Sequence, residues 1–279
     1  MRIRRDITPS SQGVRHAPIH PPRCRRRRRG TRRHARLGGL GPARLGGHRR
    51  VRRPALKVQQ AAGTSAAAIQ SAVDAFRAEL GDLNPNEPGS FGSGRREINW
   101  DGVPDALAAP NLLPADFFNV NSPRGAVLST RTGRFQVSAN AGIGPIEFDN
   151  LAAGNSAQFA AFSPQRLFTQ LGSTTTEVDF FVPGSTTPAT AHGFGAVFTD
   201  VDRPGSTIEY YDIDGQLLGA FDIPVSPGRQ TLSFLGVSFP SAVLASVRIT
   251  SGKVSPQLSE RAGLETVAMD DFVYGEPIA

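Results

Sequence analysis

The sequence predicts an all-β protein, a two-sheet jelly-roll sandwich, and three observations carry that expectation. From Gly125 onward, short runs rich in Val, Ile, Phe, Tyr and Thr recur, separated by turn residues at the spacing of sandwiches and barrels. Arg134–Val137, Glu177–Val182 and Val247–Thr250 alternate apolar with polar residues, which places one face in a core and the other in water. Thr207–Ile213 and Gln216–Ile223 flank Asp214-Gly215, a strong hairpin signal, because both central residues of that turn need φ > 0.

The chain has two unlike parts. Residues 1–57 hold 19 of the 31 Lys and Arg and one acid, Asp6, a net +18; the remaining residues hold 12 bases and 23 acids, a net −11. The overall +7 therefore describes a basic tail on an acidic body. Four of the five histidines and the sole cysteine, Cys24, lie in the tail, so the body has no disulfide, no cysteine metal site and no thiol nucleophile. No run of about 18 apolar residues marks a transmembrane helix, and no apolar core of a secretory signal follows the Arg-rich start.

Taken in order, residues 1–57 lack aliphatic periodicity, and Arg25–Arg29 repels itself, so this segment is expected to be disordered. It would bind nucleic acid only non-specifically, by releasing counterions from phosphate. The other reading is a gene start translated out of frame or from too early a codon. Residues 58–84 form a helix and linker: Ile69, Val73, Phe76 and Leu80 line one helical face, Thr64 or Ser65 caps its start, and Gly81 ends it. Residues 85–279 are the sandwich domain. Asn84–Gly94 is a loop, residues 94–105 hold the only tryptophan, Trp100, and Ala106–Pro123, with three prolines and the anchors Leu112, Leu113, Phe117 and Phe118, is irregular but ordered. Twelve strands follow: Gly125–Thr130, Arg134–Ala139, Glu147-Phe148, Gln158–Phe162, Leu167–Leu171, Glu177–Val182, Gly193–Thr199, Ser206–Ile213, Gln216–Ile223, Gln230–Leu235, Ala245–Thr250 and Val267–Tyr274. That exceeds a seven-strand sandwich and fits a jelly roll.

Several stretches together resemble a group of secreted bacterial β-sandwich proteins, many of which carry a C-terminal sorting tail of the PEP-CTERM kind. They are GRREINWDGVPD (94–105), DFFNVNSPRG (116–125), GFGAVFTDVD (193–202), TIEYYDIDGQLL (207–218), FLGVSF (234–239), VRITSG (247–252) and VAMDDFVYGEP (267–277). The ending VAMDDFVYG also looks like the closing strand of lectin-like and MAM-type jelly rolls. The resemblance implies a concanavalin- or lectin-like sandwich in an extracellular or cell-surface setting, and it supplies no catalytic residues. The sorting tail itself is missing here.

Candidate chemistry is sparse. His192 is the only histidine of the body, and no G-x-S-x-G elbow occurs, so a Ser-His-Asp triad has little to build on. The G-x-G pairs at 92–94, 142–144 and 193–195 lack a third glycine and open no helix, and zinc spacings are absent. Glu147, Asp149, Glu177, Asp179 and Glu209 could supply paired carboxylates, since distant strands can set acids about 5–10 Å apart. A divalent cation such as calcium is the sharpest local expectation, because hard cations take carboxylate and carbonyl oxygens. Asp200 and Asp202 share one face of a regular strand, and one of Asp270 and Asp271, assigned to Asp271, could join them. Hairpin-turn acids with one buried, backbone-bonded aspartate explain the same residues. For a glycan, Trp100 with Asn99 and Asp101, and Tyr210 or Tyr211, are the available stacking and polar groups; a sole tryptophan equally plugs a β core. The expected function is a non-catalytic secreted or surface module that binds a glycan or cell-surface component. A structural protein without a small ligand and a carbohydrate-active hydrolase or lyase are the alternatives.

Overall fold

The computed structural model describes residues 56–260 and 263–279. The expected disorder and nucleic-acid role of the basic tail fall outside the described residues, apart from Leu56 and Lys57. In chain order the elements are β1 (Lys57–Gly63), α1 (Ala66–Leu80), β2 (Arg95–Ile98), α2 (Phe117–Val120), β3 (Ala126–Ser129), β4 (Phe135–Val137), β5 (Phe168–Gln170), β6 (Thr175–Phe180), β7 (Gly193–Thr199), β8 (Thr207–Tyr211), β9 (Leu217–Asp222), β10 (Leu232–Ser238), β11 (Ser246–Thr250) and β12 (Ala268–Gly275).

The strands form the all-β sandwich that the sequence predicts. One sheet runs β1-β10-β7-β12-β5-β4, with β2 added against β12; the other runs β3-β6-β11-β8-β9. Every strand pair is antiparallel. The five-stranded sheet alternates along β6 and β8: Val178, Phe180, Ile208 and Tyr210 point into the core, and Glu177, Asp179, Glu209 and Tyr211 point out.

The larger sheet does not alternate, because both of its faces are covered. β7, β10 and β12 are buried along their whole length. Their inner residues join the core between the sheets, while Val197, Leu232, Phe234 and Val273 pack under α1. The helix presents Ile69, Val73, Phe76 and Leu80, the four positions its spacing singles out. Phe76 seats on two glycines, Gly195 and Gly236, that face each other across the β7–β10 ladder. A Cβ on either would lie 2.8–2.9 Å from the Phe76 ring, so the helix docks only because both positions lack one.

Several expectations need correction. Lys57–Gly63, read as tail end and linker, is an edge strand paired over seven residues with β10, so the sandwich begins before residue 85. Arg95–Ile98, to which the sequence assigns no element, is a strand on β12. Glu147-Phe148 is a short 3₁₀ turn with both residues at positive φ, a conformation that no strand can hold. Gln158–Phe162 contains no strand; Phe159 instead packs with Phe148 and Leu167 in a small separate core. The β8–β9 hairpin forms, but its loop spans Asp212 to Gln216, and of the Asp214-Gly215 pair only Gly215 takes positive φ. The Asp212 carboxylate holds it by accepting from the amides of Asp214 and Gln216 at 3.0 and 2.8 Å.

Candidate functional site

The structure brings three acids together where β7 ends. Asp200, Asp202 and Glu260 each offer a carboxylate oxygen, and these oxygens lie within 4.8 Å of one another. The sequence expectation of Asp200 and Asp202 sharing one strand face is altered, because β7 stops at Thr199 and Asp200 has φ +69°. The chain turns there, Val201 goes into the core, and the two acids still converge. The third member is Glu260, not Asp271.

Asp200 is fully buried. Its Oδ2 accepts from Gln158 Nε2 at 2.5 Å, and its Oδ1 has no hydrogen-bond partner among the described residues. Burial, with the charges of Asp202 and Glu260 adding to it against the Gln158 hydrogen bond, pushes its carboxyl up to about 8. Asp202 is partly exposed and accepts from the Gly228 amide at 2.8 Å. A fourth acid, Glu265, is buried alongside and accepts from the Arg203 amide at 3.1 Å; burial raises its pKa, and the charges of Asp202 and Glu260 act in the same direction. Among the described residues no Lys, Arg or His side chain forms an ion pair with any of these four acids. The group borders an open cleft of about 430 Å³ that also exposes Arg203, Gly228 and Arg229.

Asp271 lies elsewhere, because β12 carries a register irregularity between Met269 and Phe272. Val267 and Met269 face the inter-sheet core before it, and Phe272 and Tyr274 face the same core after it. Asp270 and Asp271 are the residues that absorb the slip, and both are buried. Asp270 Oδ2 accepts from the amides of Phe162 (2.6 Å) and Ser163 (3.2 Å). Asp271 accepts from Ser163 Oγ (2.7 Å) and Arg77 Nη2 of α1 (3.2 Å). Asp271 is thus a structural tie between helix and sheet.

The proposed sugar platform around Trp100 is also corrected. Trp100 is 1% exposed, its ring stacks on Phe168 with centroids 4.1 Å apart, and its Nε1 donates to the Asp270 carbonyl at 2.9 Å. It plugs the core and presents no face to solvent. Asp101 accepts from the amides of Gln165 and Arg166 at 2.8 and 3.0 Å, and Asn99 is exposed beside a buried tryptophan. Tyr210 is fully buried, with its hydroxyl donating to the Phe194 carbonyl at 3.1 Å.

Tyr211 is different. It sits on the outer face of the five-stranded sheet, with the Arg248 guanidinium 5.5 Å from its ring centroid. Cross-strand register sets Ser129, Glu177, Arg248 and Glu209 in one row over β3, β6, β11 and β8. Arg248 bonds Glu177 at 2.8 and 2.7 Å and lies 3.7 Å from Glu209, which accepts from the Tyr211 hydroxyl at 2.9 Å. The row remains open to water: the side chains of Arg248, Glu177 and Glu209 are 45%, 39% and 31% exposed. Glu177 also borders a broad groove of about 970 Å³ whose lining includes Ser129, Thr130, Ser173, Thr174 and Thr175. Both carboxylates of this row face one guanidinium.

The other candidate chemistry disperses. His192 packs on Gly275, and burial lowers its pKa; among the described residues neither a serine hydroxyl nor a carboxylate hydrogen-bonds it. Asp149 is committed to its own loop, accepting from the Gly154 and Ser156 amides at 3.1 and 2.8 Å. Its neighbour Glu147 is pushed up to about 6, chiefly by burial.

No protein-family profile matches the chain, and no curated protein does. Among solved structures, it has a weak likeness to an arabinoxylan arabinofuranohydrolase of glycoside hydrolase family 43 from Bacillus subtilis, solved with cellotetraose. That likeness has 15% identity and TM-score 0.28, and covers 55% of this chain and 27% of that one. The other is the enzymatically active domain of tailspike protein 4 from bacteriophage CBA120, at 15% identity and TM-score 0.28, covering 62% of this chain and 22% of that one. The chain thus spans about a quarter of each of those proteins, and scores this low bear on neither activity nor ligand.

Proposed function

We propose that this protein is a non-catalytic β-sandwich module that binds a glycan on the outer face of its five-stranded sheet, in an extracellular or cell-surface setting. The observation that carries the reading is the exposed row Ser129–Glu177–Arg248–Glu209 with Tyr211 beside it, running into the hydroxyl-lined groove at Glu177. Strands lie about 4.8 Å apart, so the row presents polar groups over about 14 Å. A polyol needs many modest hydrogen bonds along an extended, wettable surface, with an aromatic edge for its apolar C–H groups, and this face offers both. The extracellular setting rests on the resemblance of seven segments to secreted bacterial sandwich proteins.

The test is retardation of the full chain in native gels cast with neutral or acidic polysaccharides, together with a glycan array. Retardation that Arg248→Ala and Tyr211→Ala each abolish, with melting curves unchanged, is the expected result. No binding to any glycan, or binding that survives both substitutions, would overturn the assignment and favour a structural role without a small ligand.

A further inference from the structure

We infer that Asp200, Asp202 and Glu260, with the side chain of Gln158, form a calcium site that pins three separate loops at the end of β7. The acids alone would not carry this, since acidic clusters are common on surfaces. Two further features do. Asp200 is wholly buried, and its Oδ1 has no hydrogen-bond partner among the described residues. A buried, unpartnered carboxylate oxygen is costly, and it persists where a proton or a cation satisfies it.

The second feature is the crowding around Gln158. Its Nε2 lies within hydrogen-bond reach of three oxygens: Asp200 Oδ2, Glu260 Oε2 and Thr266 Oγ1. An amide nitrogen has two hydrogens, so one of those oxygens must go unserved. Three oxygens gathered about one point, two of them from carboxyl groups, is the environment a hard cation takes. Half a turn of the Gln158 amide replaces its nitrogen with an oxygen and adds another oxygen donor.

The donor set decides the metal class. All the donors are oxygens from carboxylate, amide and hydroxyl groups, with no sulfur or imidazole, which excludes the softer metals. They come from irregular loops, and the adjoining cleft leaves room for water to complete the shell. Irregular sites of this kind suit calcium, with roughly six to eight ligands, better than magnesium with its strict octahedron. Gln158, directly after a short 3₁₀ turn at Asn155–Ala157, the Asp200–Asp202 turn at the end of β7, and Glu260 lie on three separate segments. An ion among them would tie those segments together, and this holds whether or not the sheet face binds a glycan.

The test uses the full chain, stripped with EDTA and then titrated with calcium chloride or magnesium chloride, and read by calorimetry and thermal melting. Calcium is expected to bind at one site and to raise the melting midpoint. At a concentration 100 times its Kd it should multiply the folding equilibrium constant by about 100. Asp202 and Glu260 are partly exposed, so Asp202→Asn and Glu260→Gln should fold, yet weaken calcium binding by at least about tenfold, the smallest loss seen even when only a residue supporting a metal ligand is changed. Asp214→Asn, in the distant β8–β9 hairpin, should leave binding unchanged. No calcium heat and no shift of the midpoint, an equal response to magnesium, or undiminished binding by the Asp202 and Glu260 variants would each overturn the inference.

Discussion

Asp270 and Asp271 adjoin in the sequence and are both buried, yet the structure gives them different costs of removal. Asp270→Ala would leave two backbone donors, the amides of Phe162 and Ser163, without the acceptor they now share at 2.6 and 3.2 Å. Stranding a buried donor costs about 1–3 kcal/mol, so the pair implies a loss of about 2–6 kcal/mol. Asp271→Ala removes the Ser163 hydroxyl contact and one Arg77 contact, while Arg77 keeps both its bonds to Glu97 at 3.0 and 2.8 Å. That loss should be about 1–2 kcal/mol. Burial, and then the Asp271 charge, raise the Asp270 carboxyl well above its ordinary value. Its stabilising contribution is therefore complete below the unfolded pKa, near 3.9, and declines as pH rises toward the folded value. Urea melts run near the unfolded pKa, at about pH 4, therefore read the stabilisation closest to its full value. In a domain of this size, a loss of about 3 kcal/mol moves the thermal midpoint by roughly 6–12 °C. Repeating the melts toward pH 8 should show wild-type stability falling relative to Asp270→Asn, which cannot ionise. Asp271→Ala proving the more costly of the two, or Asp270→Asn tracking the wild type at every pH, would refute the geometry assigned to this bulge.

Three other perturbations test the scaffold. Gly195→Ala or Gly236→Ala sets a methyl within 2.9 Å of the Phe76 ring, and should destabilise by about 1–3 kcal/mol in denaturant melts; a neutral result would mean α1 is not seated on that pair. Glu276→Gln breaks the fully buried pair with Arg96, now 2.6 Å apart, and should cost about 3–5 kcal/mol, whereas a loss below about 1 kcal/mol would show that Arg96 finds other partners. A chain begun at residue 64 lacks β1 and bares the edge of β10, so size-exclusion chromatography should show it associating where a chain begun at residue 55 does not.

The fold was legible where local chemistry and burial agree. The four apolar positions of α1 recur at helical spacing, and α1 is where they place it. β6, β8 and β11 alternate because one of their faces meets water, and a period of two is visible to anyone counting. β1 was not legible, because KVQQAAG has little strand propensity of its own; it is a strand because β10 offers an unpaired edge. The opposite error, at Gln158–Phe162, has the same origin. Its apolar residues face a local cluster with Phe148 and Leu167, and no neighbouring strand presents a ladder to it.

Counting parity along Val267–Tyr274 predicts that one of its two aspartates must face the core, and that inference holds only if the strand has a single register. The slip between Met269 and Phe272 reverses parity at the acids themselves, so Met269 and Phe272, three residues apart, both reach the inter-sheet core. Two adjacent acids are an expensive pair to place in a strand buried on both faces, and a bulge is the local device that turns them both away from the aliphatic core. The doublet was thus itself a signal of irregularity. No comparable signal points to the cluster at β7, where Gln158 and Glu260 lie 42 and 60 residues from Asp200 and no fixed spacing links loops joined only by the fold. What the sequence does offer there is Asp-x-Asp directly after a run of seven buried residues. Acids that follow a buried strand without a break are held near the core by the strand itself, which leaves their partners to be supplied from other loops.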